Sequence, residues 1–146
     1  MLLVGPTGIG KTTALLELAA ELVQRAKRDP EQPIPVIFHL SSWPVEQQSF
    51  EDWLRAELRV KYGVSQPLSN RWLEANILLP LLDGLDELAP HRREAAVQHL
   101  NAWSADHPGP LVVCCRRDNH DRSPVPLALN GTLELEPLTA DQLEQL

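Results

Sequence analysis

Residues 2–13 read Leu2-Leu3-Val4-Gly5-Pro6-Thr7-Gly8-Ile9-Gly10-Lys11-Thr12-Thr13. A short apolar run stops at Gly5 and gives way to a glycine-rich loop. From Lys11 onward, Leu15, Leu18, Ala19, Leu22 and Ala26 recur at helical spacing and make one apolar face. Residues 5–12 match the pattern GxxxxGK[ST], and strand, loop and helix in that order are the context in which this pattern cradles phosphate. Each residue type has a physical reason. Gly5, Gly8 and Gly10 allow the dihedrals and the close approach that let the backbone of Gly5, Pro6, Thr7, Gly8 and Ile9 wrap an anion. The amino end of the following helix, with Thr13 in its first turn, adds a positive dipole end beneath the same phosphate. Lys11 supplies an ammonium for the β and γ phosphates, and Thr12 a hydroxyl for Mg²⁺. The plain alternative is an ordinary glycine turn before a helix.

A loop of this kind needs a carboxylate at the end of a second strand to hold the metal. Leu78-Leu79-Pro80-Leu81-Leu82-Asp83 is the apolar run that ends in an acid, and Gly84-Leu85-Asp86-Glu87 adds two more. Three carboxylates so close in sequence are expected to repel one another unless a cation neutralises them, which favours Mg²⁺ beside the nucleotide. The bland reading of Asp86 and Glu87 is a solvated acidic turn before the next helix. A third apolar run, residues 111–115, ends in Arg116-Arg117. Ligands of parallel α/β sheets bind beyond the carboxyl ends of the strands, where Arg116 is placed to sense the γ phosphate. Its alternative is a surface arginine paired with Asp118 or Asp121.

The remaining pattern alternates strands and helices. Strands are expected at residues 34–40, 77–83, 111–115 and 132–138. Helices are expected at residues 11–28, 50–62 (ended by Gly63), 68–75 and 90–104, and Thr139 with Gln142 opens a last one in a capping-box pattern. That order predicts an α/β domain with a mostly parallel sheet covered on both faces. Pro35 demotes its strand to the edge of the sheet. Pro80 poses a conflict, because it removes a ladder hydrogen bond from a strand expected at the centre. Either that strand starts after Pro80 or the neighbouring strand does not reach its amide.

Composition bounds the answer. The chain has 146 residues, 43% of them hydrophobic and 23% charged, as in an ordinary globular domain. The length implies one domain, and a chain this size buries roughly two-thirds of its unfolded surface. With 13 basic and 20 acidic residues the net charge is −7, so direct nucleic-acid binding is not expected. No apolar run is long enough to span a membrane. Cys114 and Cys115 are adjacent and point to opposite faces of a strand, which disfavours a disulfide between them and suits a reducing cytoplasm. The four tryptophans, Trp43, Trp53, Trp72 and Trp103, are spread along the chain and read as core. The histidines share no metal-ligand spacing, and the stretch of residues 41–67 carries no assignable chemistry.

GPTGIGKTT (5–13), LLPLLDGLDEL (78–88) and LVVCCRRD (111–118) together resemble the NACHT domain of the signal-transducing, multi-domain (STAND) P-loop NTPases. Asp83-Gly84-Leu85-Asp86-Glu87 is the specific part, because the acids return three and four positions after the first aspartate. The resemblance covers nearly the whole chain, as far as the segment around Leu138 and Thr139. It implies a P-loop three-layer α/β/α sandwich with a five-stranded sheet in the order 5-1-4-3-2. It implies ATP and Mg²⁺ as cofactors, with Lys11 and Thr12 on phosphate and metal, and Asp83 on Mg²⁺ through water. It further implies Asp86 or Glu87 on the attacking water and Arg116 as γ-phosphate sensor. Cys114-Cys115, where Thr-Ser is common, and Pro80 depart from the family pattern.

Family membership further implies slow ATP hydrolysis controlling a signalling and oligomerisation switch, in bacteria in defence against phage. Homo-oligomerisation is expected in the ATP state. Residues 1–146 are expected to be the nucleotide-binding core of a longer protein, which would continue into helical and winged-helix domains and carry effector and sensor regions. Two other functions share a P-loop. One is a small-molecule or nucleotide kinase, with Arg92-Arg93 and Arg116-Arg117 available for a lid. The other is a nucleotide-binding scaffold without hydrolysis. An NKxD motif for guanine and an LSGGQ transporter signature are both absent from the sequence.

Overall fold

The computed structural model describes residues 2–5, 11–107, 109–116, 127–128 and 132–134. Five strands, β1 (Leu2–Gly5), β2 (Ile34–His39), β3 (Leu78–Asp83), β4 (Val112–Arg116) and β5 (Thr132–Glu134), form one sheet in the order β2-β3-β4-β1-β5. Every pairing is parallel. This is the expected 5-1-4-3-2 order. Four helices cover it: α1 (Lys11–Arg28), α2 (Phe50–Tyr62), α3 (Gln66–Glu74) and α4 (Pro90–Asp106). The final helix expected from Thr139 onward, and the extension of β5 to Leu138, lie outside the described residues.

Both faces of the sheet are dry, as parallel sheets require. On one face Leu79, Leu81, Val112 and Cys114 pack with Leu15, Leu18, Ala19 and Leu22 of α1. On the other, Phe38, Leu78, Leu82, Val113 and Cys115 pack under α2, α3 and α4 through Trp53, Leu54, Leu58, Leu73, Ala96, Val97 and Leu100. The alternation of Cys114 and Cys115 between the two clusters is the strand period of two; neither is in a disulfide and both are buried. Trp43 and Trp53 belong to the second cluster, and Trp72 and Trp103, partly buried, pack against it. Trp43 stacks on Trp53 with ring centroids 5.6 Å apart, and Phe50 lies 5.1 Å edge-on to Trp103. The 41–67 stretch therefore builds the larger of the two cores.

Local chemistry sets the ends of the elements. Ser49 caps α2 by accepting from the Asp52 amide, and Gly63 closes it in the left-handed region at φ 64°. Ser65 caps α3 in the same way, with Pro67 in its first turn, so α3 begins two residues earlier than expected. β2 ends at His39, one residue short of expectation, where Leu40–Ser42 tighten into a 3-10 turn.

Backbone phase accounts for both prolines. The Ile34 amide donates to the Ile77 carbonyl, so on β2 the next amide position, Pro35, faces away from the sheet along its free edge. On β3 the same alternation turns position 80 toward β4. Pairing with β4 begins only at Leu81, opposite Val112, so Pro80 stands where its neighbour does not reach, while β3 runs unbroken through it. No described helix is long and apolar enough to cross a membrane.

Candidate functional site

Gly5, His39, Asp83 and Arg116 are each the last residue of a strand: β1, β2, β3 and β4. Parallel strands share one direction, so these four positions line one edge of the sheet, the edge where ligands of α/β folds bind. Register sharpens this. Gly5, where the glycine-rich loop begins, is the partner of Arg116, and His39 is the partner of Asp83. Arg116 thus stands next to the start of the loop by backbone position. Pro6, Thr7, Gly8, Ile9 and Gly10 lie outside the described residues, as does Arg117. Lys11 is placed by its backbone, as the first residue of α1.

Thr12 and Asp83 are 71 positions apart in sequence and meet in space. The Thr12 hydroxyl donates to Oδ2 of Asp83 at 3.1 Å. The Asp83 side chain is 13% exposed, and the same Oδ2 lies 3.8 Å from Nδ1 of His39. Thr13 is exposed on the first turn of α1. A hydroxyl and a carboxylate brought together at a helix amino end are hard oxygen donors, the set a magnesium ion takes. His39 was not singled out from sequence. Its one available signal was its place at the end of a strand, and only the β2–β3 register puts it opposite Asp83.

Beyond Asp83 the chain turns sharply. Gly84 has φ 87°, and Leu85–Glu87 form a 3-10 turn closed by the Glu87 amide on the Gly84 carbonyl. Leu85 and Leu88 are buried and pin the turn to the core. Asp86 is partly buried and Glu87 exposed. The Glu87 carboxylate folds back over Gly84, so closely that a Cβ there would stand 2.9 Å from its Oε2. Gly84 is thus required twice, for its φ and for the room it leaves. Among the described residues no three acidic, histidine or cysteine side chains converge on one point that could hold a metal. The expected gathering of Asp83, Asp86 and Glu87 around one cation is therefore not met among the described residues, and the oxygen pair that comes together is Thr12 with Asp83.

Arg92 and Arg93 are held by the backbone. Arg92 donates to the Trp43 carbonyl. Arg93 donates through Nη2 to the carbonyls of Leu88 at 2.9 Å and Asp86 at 3.5 Å. Neither is poised as a mobile lid, the role the kinase reading requires of them.

The NACHT domain family model matches residues 1–146. No curated protein matches the chain. Among solved structures, the chain resembles the Aeropyrum pernix ORC1 protein, determined in complex with DNA, with a TM-score of 0.63 at 19% identity. That match covers 99% of this chain and 41% of the other, so the chain spans less than half the length of that protein. At such identity the likeness is one of fold.

Proposed function

This chain belongs to the NACHT domain family, a family of nucleotide-binding P-loop NTPases, and we propose that it binds Mg·ATP, hydrolyses it slowly and uses the difference between bound states as a switch. One observation carries the reading. The Thr12 hydroxyl and the Asp83 carboxylate, from opposite halves of the chain, meet at 3.1 Å at the amino end of α1.

In this reading the loop from Gly5 to Gly10 wraps the phosphates with its amides, and Lys11 reaches the β and γ oxygens. Thr12 directly, and Asp83 through water, would hold Mg²⁺, which when bound neutralises charge on the β and γ phosphates. Glu87 is assigned the attacking water in preference to Asp86. Its carboxylate is folded back over Gly84, the residue that follows Asp83. Arg116, opposite Gly5, reports the γ phosphate. Phosphoryl transfer needs little beyond such positioning and charge neutralisation. A switch needs the γ phosphate bound unequally in two conformations. The family resemblance adds homo-oligomerisation in the ATP state and a signalling or anti-phage role.

The test is titration of ATP, ADP and GTP against the chain, with and without chelator, followed by single-turnover hydrolysis. Mg·ATP should bind, chelation should weaken it, and Lys11→Ala should abolish it; micromolar affinity retained in that variant counts against the whole site. Thr12→Ser should keep the magnesium dependence and Thr12→Ala should lose it. Arg116→Ala should narrow the gap between ATP and ADP affinity. Tight binding with no turnover would favour the scaffold without hydrolysis.

A further inference from the structure

The 3-10 turn that carries Asp86 and Glu87 is three residues long. So short a turn has no cooperative ladder to stabilise it. It is followed at once by α4, whose N-cap is Ala89, with no side-chain capping bond and no acid in its first turn. Pro90 presets the first helical residue and buried Leu88 anchors the chain before it, but no side chain caps this junction.

Arg93 supplies the link. Its amide donates to the Ala89 carbonyl at 2.8 Å, inside the first turn of α4. Its side chain reaches back over the preceding residues, and one nitrogen, Nη2, bonds the carbonyls of Leu88 and Asp86. Those carbonyls flank Glu87 on both sides. Among the described residues Arg93 forms no ion pair, and its Nε is buried without an acceptor. An apolar side chain of similar length would fill the same space without burying an unpaired donor. What the guanidinium adds is the hold of its Nη2 on two carbonyls, close to Leu88 and longer to Asp86.

We propose that Arg93 is a positioning residue for hydrolysis: by clasping the Asp86 and Leu88 carbonyls it fixes the backbone on either side of Glu87 and so keeps that carboxylate folded over Gly84. The proposal rests on the assignment of Glu87 to the attacking water. Among the described residues Arg93 bonds neither Thr12 nor Asp83, so its loss should act on the chemical step and leave binding alone.

The experiment compares Arg93→Met, Arg93→Lys, Glu87→Gln and the double variant Glu87→Gln with Arg93→Met, by Mg·ATP titration and single-turnover hydrolysis per bound nucleotide. Arg93→Met is expected to slow hydrolysis about tenfold or more while the Mg·ATP Kd stays within about threefold, the signature of a group acting only in the transition state. Arg93→Lys, which keeps the charge and a flexible ammonium donor, should recover part of the rate. On the Glu87→Gln background the Arg93 change should cost less than about twofold, because both act through one carboxylate. A slow Glu87→Gln chain beside a full-rate Arg93→Met chain overturns this proposal alone, and so does a full additional loss in the double variant. A Glu87→Gln chain that hydrolyses at the normal rate overturns the assignment of Glu87 and this proposal with it. Should Arg93→Met fail to fold, Arg93→Lys decides. It should show slower hydrolysis at unchanged Kd and faster hydrogen exchange at the Glu87 and Leu88 amides, and normal values of both overturn the proposal.

Discussion

Two glycines show how one backbone requirement can serve two ends. Gly63 and Gly84 both sit at positive φ, 64° and 87°. A Cβ at Gly63 would meet nothing within 4 Å, whereas at Gly84 it would press on the Glu87 carboxylate. Alanine at either site carries the strain of the left-handed region, about 1–2 kcal/mol. Gly63→Ala and Gly84→Ala should therefore lose similar stability in urea titrations. Only Gly84→Ala should also lose hydrolysis, because it moves the carboxylate, and Mg·ATP affinity should hold in both. Equal turnover in the two variants would detach Glu87 from the chemistry. At this same scale His39 shows what a sequence hides. Its neighbour Asp83 is 44 positions away, and nothing local to His39 announces it.

At the scale of elements, α2 is held by its ends and by its buried face. Glu51 and Asp52 lie in its first turn and Arg59 and Lys61 in its last, the charge order its dipole favours. Ser49→Ala removes the cap on the Asp52 amide and should cost about 1 kcal/mol, read as a lower urea midpoint with an unchanged slope. Arg55 links the helix to α3 through Asn70 Oδ1 at 2.8 Å, while also pairing with Glu51 and Asp52. β3 makes the complementary point. Its proline is tolerated because strand phase and the late start of β4 leave position 80 without a partner to lose. Leu81 and Leu82 carry the pairing with β4, and Asp83 follows them to the edge.

For the molecule as a whole, the candidate site lies along one edge of the sheet, between two unequal cores. The α1 face carries the smaller core; the α2–α4 face carries the large aromatic one. Trp53 is 1% exposed and contacts Phe38, Trp43 and Phe50. Trp53→Ala should cost about 3–5 kcal/mol, a large part of the roughly 5–15 kcal/mol available to a domain, so circular dichroism should show a melting temperature well below that of the parent chain. Ligand works in the other direction. Free Mg·ATP at a hundredfold over its Kd should stabilise the folded chain by about 2.7 kcal/mol, seen as a raised melting temperature that chelation reverses. A melting temperature indifferent to Mg·ATP would contradict binding to the folded state.

The order of strands and helices, the edge position of Pro35, the packing of the tryptophans against the core and the pattern that singles out Thr12 and Asp83 were legible in the chain. They depend on periodicity, on proline's missing amide and on short local patterns that carry their own geometry. The tertiary structure alone decided which strand ends are neighbours, that Thr12 reaches Asp83, that His39 stands beside it, that the Glu87 carboxylate folds over Gly84, and that Arg92 and Arg93 grip carbonyls. The reason is physical. A local pattern fixes which way one segment's side chains point, but contacts between distant segments follow from register and packing, and these exist only once the sheet has closed over its two cores.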